Sequence, residues 1–167
     1  MAYSTGKSAV ITGAGSGIGR ALARQLNREG CALFLSDIDT DGLAETVASL
    51  ERKDVPVAQQ QVDVSDKAAM DRWAAAIAEQ QPAVDIVVNN AGVAYSARVD
   101  ECNYDDVQWL MGINFWGVVH GTMAFLPLLQ AAPQGHLVNI SSIFGMIGVP
   151  TQSAYNAAKF AVRGYTE

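Results

Sequence analysis

Ser8-Ala9-Val10-Ile11-Thr12-Gly13-Ala14-Gly15-Ser16-Gly17-Ile18-Gly19-Arg20 is the stretch whose reading decides the fold. Ser8 to Thr12 is a short apolar run of buried-strand type. Ile18, Ala21, Leu22, Gln25 and Leu26 then recur at helical spacing until Gly30 stops the helix. The turn between strand and helix is rich in glycine, which lets backbone approach a phosphate closely, and it opens onto a helix N-terminus with unpaired N–H groups. Gly13, Gly17 and Gly19 are the candidate binding glycines, with Ser16 and Ile18 beside them. Their spacing, three residues and then one, departs from Gly-x-Gly-x-x-Gly, and the turn lacks the Lys-Ser/Thr of a P-loop, which argues against nucleotide hydrolysis. A glycine turn of purely structural use is the alternative.

The same alternation continues outward. Ala32 to Ser36 is a second strand, followed by a helix near Asp41 to Arg52 that turns Leu43, Val47 and Leu50 inward. Val57 to Val62 is a third strand. Ser65 is the expected N-cap of a helix with Ala69, Trp73, Ala76 and Ile77 on one face and Pro82 at its close. Asp85 to Val88 is a fourth strand. A long helix follows from about Tyr104 to Leu129, with Val107, Leu110, Met111, Asn114, Val118, Thr122 and Leu126 near one stripe. Leu137 to Ile140 is a fifth strand, and a loop to about Gln152 leads into a last helix from near Ser153. Strands separated by helices imply right-handed crossovers, hence an α/β fold with a mostly parallel sheet and helices on both faces.

Composition narrows the function. In 167 residues, 50% of them hydrophobic and with mean hydropathy +0.12, one core and one domain over 1–167 are expected. With 11 basic and 17 acidic residues, net charge −6 and no Lys/Arg cluster, no nucleic acid partner is expected. Cys31 and Cys102 are too few for a disulfide scaffold, and with His120 and His136 they form no metal-ligand pattern. Met1 to Lys7 lacks a basic segment leading into an apolar one, and no run approaches the ~18 apolar residues of a membrane span. No membrane association is expected, and a cytoplasmic location is.

Three further sites carry chemistry. Asp37 lies just after the second strand, roughly 20 residues beyond the turn, where a carboxylate can accept from both hydroxyls of a ribose and repel a 2′-phosphate; this favours NAD over NADP. Ile38 and Ser16 add no compensating positive charge, although Arg20 is near. A solvated strand-end carboxylate is the bland alternative, and Asp39 or Asp41 could serve instead. Asp63, with Val64, is placed for the adenine side or simply as a carboxylate at the start of a helix. Tyr155 and Lys159, four apart on one helix face, form either an acid/base pair in which the ammonium favours the ionised phenol or an ordinary pair on a solvated helix. Asn114, polar on an apolar stripe, calls for a buried polar partner, structural or otherwise.

Asn89-Asn90-Ala91-Gly92 after the fourth strand, together with Thr12 to Gly19, Ser142 and Tyr155-Asn156-Ala157-Ala158-Lys159, resembles the short-chain dehydrogenase/reductase family, in its single-domain branch with TGxxxGxG, NNAG and YxxxK motifs. The resemblance spans the whole chain. It implies a Rossmann-like doubly wound sheet and hydride transfer between a nicotinamide cofactor and an alcohol or carbonyl substrate. Tyr155 would be the general acid/base, Ser142 would hold the reacting oxygen, Lys159 would bind the nicotinamide ribose, and Asn114 would anchor a water linking Lys159 to solvent. Asn90, Ala91 and Gly92 would line the cofactor site. Ser141 competes with Ser142, but the thirteen-residue interval to Tyr155 fits Ser142. Gly145 and Gly148 would let a loop pass close to a ligand, while Tyr95, Phe144, Met146 and Val149 line an apolar pocket or simply cover the sheet. A homo-dimer or homo-tetramer through the long helix and the Tyr/Lys helix is implied as well.

Members of the family usually continue with two further strands, a substrate-covering segment and a Pro-Gly turn. The chain is therefore expected to be truncated after the fifth strand and the start of the next helix. A noncatalytic dinucleotide-binding fragment or interaction module is the alternative to an NAD-dependent oxidoreductase.

Overall fold

Val10, Ile11, Leu33, Leu35, Val87 and Val88 are all but fully buried, as strands covered on both faces must be. In the computed structural model, which describes residues 2–167, they belong to β1 (Ser8–Thr12), β2 (Ala32–Asp37) and β4 (Ile86–Asn89). β3 (Val57–Gln61) and β5 (His136–Asn139) complete a five-stranded sheet of order β3-β2-β1-β4-β5. Every pairing is parallel, with Val10 opposite Phe34 and Val87, and Val88 opposite Val138. The expected doubly wound sheet is thus present.

Successive strand residues point to opposite faces, and each face has its own helices. On the face of Ile11, Leu35 and Val88, helices α1 (Gly17–Glu29) and α2 (Thr40–Ala48) bury Ala23, Leu26 and Leu43. On the face of Val10 and Val87, α3 (Lys67–Gln80) and α5 (Gly117–Ala131) bury Met70, Trp73, Ile77, Phe125, Leu128 and Leu129. Trp73 meets Phe125 edge to face at 5.1 Å. A third cluster, Leu110, Ala154 and Ala158, joins α4 (Tyr104–Met111) to α6 (Ser153–Thr166).

Several expected details shift. α2 ends at Ala48 rather than Arg52, because the Arg52 N–H donates to the buried Asn27 amide at 2.8 Å instead of continuing the helix. α3 is capped by Asp66, which accepts from Ala69 N–H, while the Ser65 hydroxyl donates to Asp63. Ala76 is exposed and Ala74 is buried in its place. On α1, Ile18 and Ala21 face outward, and Gly19, Ala23, Leu26 and Asn27 form the buried row.

The long helix is interrupted by a π-helical segment, Gly112–Trp116, between α4 and α5. Its wider turn advances the inward row, so Phe125 and Leu129 are buried and Leu126 is 41% exposed. Tyr104–Ala131 is also 28 residues long and apolar enough to cross a membrane by length and composition, contrary to the sequence expectation. Half of its most apolar 18-residue stretch is buried, with Leu110 against α6 and Phe125, Leu128 and Leu129 against the sheet.

Candidate active site

All five strands end at one rim, and the strand order changes direction between β1 and β4. That switch leaves a crevice because the connections from the two central strands depart to opposite sides. A cleft of about 690 Å³ occupies it, lined by residues that follow each of the five strands.

The glycine turn shapes its floor. Gly13 has φ +67°, and a methyl there would come within 2.7 Å of Ala91 Cα; Gly17, at φ +50°, faces open space. Ser16 precedes α1 without a side-chain cap, and the first turn carries no acidic residue. Its N–H groups are therefore available to an anion. Gly19 is behind the turn: a methyl there would be 2.1 Å from Gly13 O, so its smallness brings α1 against β1 and does not line the cleft. Thr12 and Asn90 clamp β1 to β4. Thr12 Oγ1 accepts from the N–H groups of Asn90 and Ala91 at 3.0 and 3.1 Å, while Asn90 Nδ2 donates to the carbonyls of Thr12 and Gly13 at 2.9 and 3.1 Å.

At the β2 end, Asp37 accepts from Gly15 N–H at 2.7 Å and from Asp39 N–H at 3.0 Å. The carboxylate is thus fixed, with lone pairs remaining for a ligand. Asp39 caps α2, accepting from the N–H groups of Asp41 and Gly42, which leaves Asp37 the best placed of the three. Arg20 is committed elsewhere: Nε donates to Thr46 Oγ1 at 2.9 Å, and Nη2 to the carbonyls of Gly15 and Gly42 and to Glu45. Ile18 and Ile38, 65% and 62% exposed, flank the cleft. Asp63 accepts from the N–H and hydroxyl of Ser65 and sits with Val64 on the lining.

At the β5 end the cleft takes in Ser141, Ser142, Tyr155 and Lys159. Lys159 is only 4% exposed; Nζ donates to Ile140 O at 2.8 Å and stands 5.6 Å from the centre of the Tyr155 ring. Burial lowers its pKa below the usual lysine value, because the ammonium is separated from water. Ser141 Oγ donates to Lys159 O at 2.9 Å and so fastens α6 to the strand. Ser142 Oγ accepts from Phe144 N–H at 3.2 Å and keeps its hydroxyl proton free to donate. Gly145 is buried against α6, where a methyl would be 2.6 Å from Lys159 O, so the loop passes close to protein rather than ligand.

Asn114 is fully buried in the π segment and does not line the cleft. Its Nδ2 donates to Val93 O and its Oδ1 accepts from Val93 N–H, both at 2.8 Å. The amide pins the loop after β4, which supplies Asn90, Ala91, Gly92, Val93 and Ala94 to the lining. Tyr95, Phe144, Met146 and Val149 contribute none of the lining; Tyr95 packs on the α4/α6 cluster and Phe144 meets Tyr155 edge to face at 5.9 Å. Sequence reasoning missed Ile113, Ile140 and Trp109 on the lining and the Thr12 clamp. Only Thr12, adjoining the glycines, carried a local signal.

The sequence matches the model of the short chain dehydrogenase family over residues 7–167. The chain belongs to that family, the short-chain dehydrogenases/reductases. It is 52% identical over 167 residues to the protein named "Putative oxidoreductase SadH" of Mycobacterium tuberculosis, covering 100% of this chain and 60% of that one. It also resembles a short-chain dehydrogenase/reductase of Burkholderia phymatum solved in complex with NAD, with TM-score 0.93 and 39% identity, covering 99% of this chain and 59% of the other. An alcohol dehydrogenase of the archaeon Thermococcus sibiricus, complexed with 5-hydroxy-NADP, gives TM-score 0.90 and 32% identity over 95% of this chain and 68% of its own. The chain thus spans about three fifths of the first two relatives' length.

Proposed function

We propose that the protein is an NAD-dependent oxidoreductase, or the dinucleotide-binding and catalytic part of one, acting on an alcohol or carbonyl substrate. One observation carries this reading: a single cleft joins an uncapped helix N-terminus and the Asp37 carboxylate to a Ser142/Tyr155/Lys159 group. A bound nicotinamide would supply the hydride acceptor or donor. In the oxidative direction the Tyr155 oxygen takes the substrate hydroxyl proton, and in reduction it returns that proton to the forming alkoxide. Ser142 donates to the substrate oxygen. Lys159, buried beside the ring, supplies positive charge that favours the phenolate and binds the ribose. Asn114 acts from behind by holding the loop after β4, whose residues 90–94 would line the cofactor's place in the cleft.

Two features support NAD over NADP. Asp37 offers a fixed negative charge, and the hydrogen bonds of Arg20 to Gly15, Gly42, Glu45 and Thr46 withhold the neighbouring cation from a 2′-phosphate. Exposed Trp116, Met123 and Leu126 on the long helix and Phe160 and Tyr165 on α6 support homo-oligomer formation.

The test is a panel of secondary alcohols with NAD, read by absorbance of the reduced cofactor, on the full-length protein. Turnover that falls by about 10²-fold or more in Tyr155→Phe supports the acid/base role; full activity in that variant refutes it. Binding of NAD without turnover across the panel would favour a noncatalytic dinucleotide-binding module.

A further inference from the structure

We propose that Trp109 is an adenine-binding residue, stacking on the base as the outer wall of the cleft at its β3 end. This rests on the dinucleotide reading above and adds a residue to it. Only Trp109 and Tyr155 are aromatic among the residues lining the cleft, and Tyr155 belongs to the β5 end. Trp109 is 49% exposed. Among the described residues it has no ring partner, unlike Trp73 and Trp116.

The helix that carries it lies along the loop after β3. A methyl at Gly112 would be 3.7 Å from Ser65 Cβ and one at Gly117 would be 2.7 Å from Val64 Cγ2, while His120 Nδ1 is 3.0 Å from Val64 O. Ile113 packs with the cluster containing Val62 and Val64. Trp109, four residues earlier, shares its helix face and overhangs the same end. β3 and β5 stand four strand spacings apart, ~19 Å. With its pyrophosphate on the turn after β1, a dinucleotide sends one base toward each end. The nicotinamide must reach Tyr155 and Lys159, so the base between Ile38, Val64 and Trp109 is the adenine. A large apolar ring left half open over a slot for a flat base gains its remaining burial only when the slot is filled.

The experiment compares ADP-ribose with nicotinamide mononucleotide, each titrated into wild type, Trp109→Ala and Trp109→Phe, with thermal melting to confirm that the variants fold. Loss of the stacking ring should weaken ADP-ribose on the order of 10-fold in Trp109→Ala. Mononucleotide binding should change less than about 2-fold, and Trp109→Phe should retain most ADP-ribose affinity while losing the ligand-induced quench of tryptophan emission. Unchanged ADP-ribose affinity in a folded Trp109→Ala overturns the proposal, as does equal weakening of both ligands. Wild-type protein that binds neither ligand overturns the dinucleotide reading itself, and Trp109 falls with it.

Discussion

Replacing Asn114 with alanine isolates what one buried amide does for the cleft. The side chain makes two hydrogen bonds of 2.8 Å, accepting from the Val93 N–H and donating to the Val93 carbonyl, and is itself fully buried. Each neutral hydrogen bond contributes about 1 kcal/mol net, and a peptide group left without a partner costs about 1–3 kcal/mol when shielded from water. Val93 is half-buried, so water recovers part of that cost, and Asn114→Ala should lose about 2–4 kcal/mol. In urea denaturation, with a slope near 2 kcal/mol/M, the midpoint should fall by about 1–2 M at unchanged slope. Asn114→Asp sharpens the test. Its carboxylate can still accept from Val93 N–H but faces Val93 O without a donor, so the variant should be impaired near neutral pH. It should recover as acid restores a donating hydroxyl. A loss below about 0.5 kcal/mol in Asn114→Ala would show that the Val93 peptide needs no side-chain partner and would remove Asn114 from its proposed positioning role.

Asp37→Asn keeps an acceptor for Gly15 N–H and removes the charge, so the ratio of kcat/KM for NAD to that for NADP should fall toward unity, by about 10-fold or more; an unchanged ratio would assign the preference to another group. Lys159 is buried with a lowered pKa, so the unfolded chain binds more protons than the folded one over the interval below the usual lysine value of 10.5. Stability should therefore gain with rising pH through that interval, relative to Lys159→Met, in thermal melts from pH 8 to 10.5; parallel curves for the two proteins would contradict it. Gly121→Ala should cost about 1–3 kcal/mol in urea melts, because the new methyl would stand 2.0 Å from Asn89 Oδ1, whose amide is held by Asn139 at 2.8 Å. Gly164→Ala on α6, with open space around it, should stabilise by up to about 1 kcal/mol in the same assay; a reversed order would undercut the packing argument.

β1, β2, β4 and the glycine turn were legible because buried parallel strands announce themselves as short apolar runs bounded by turn residues. The inward faces of α1, α3 and the long helix were not. On α1 the close contact of Gly19 with the backbone of Gly13 fixes the rotation of the helix, overriding what Ile18 and Ala21 suggest by hydrophobicity alone. Ile18 lines the cleft instead. Asn27 and Asn114 are both helical amides buried completely, yet one ties down the residue at position 52 and the other the loop after β4. Both partners are backbone groups far along the chain, which no local pattern encodes. Trp109 was invisible for the same reason: its meaning depends on which strand end the helix overhangs.

The π segment Gly112–Trp116 also bears on how this chain tolerates change in length. It acts as a vernier between two faces that must both fit, Asn114 against Val93 upstream and Phe125 against Trp73 downstream. Deleting one residue from it would restore an ordinary helix and satisfy one face only, since each residue removed rotates everything beyond it by about 100°. A change of residue count in the middle of this long helix therefore carries a packing cost at one end or the other. Natural variation in that segment should appear as substitution rather than as a change in residue count.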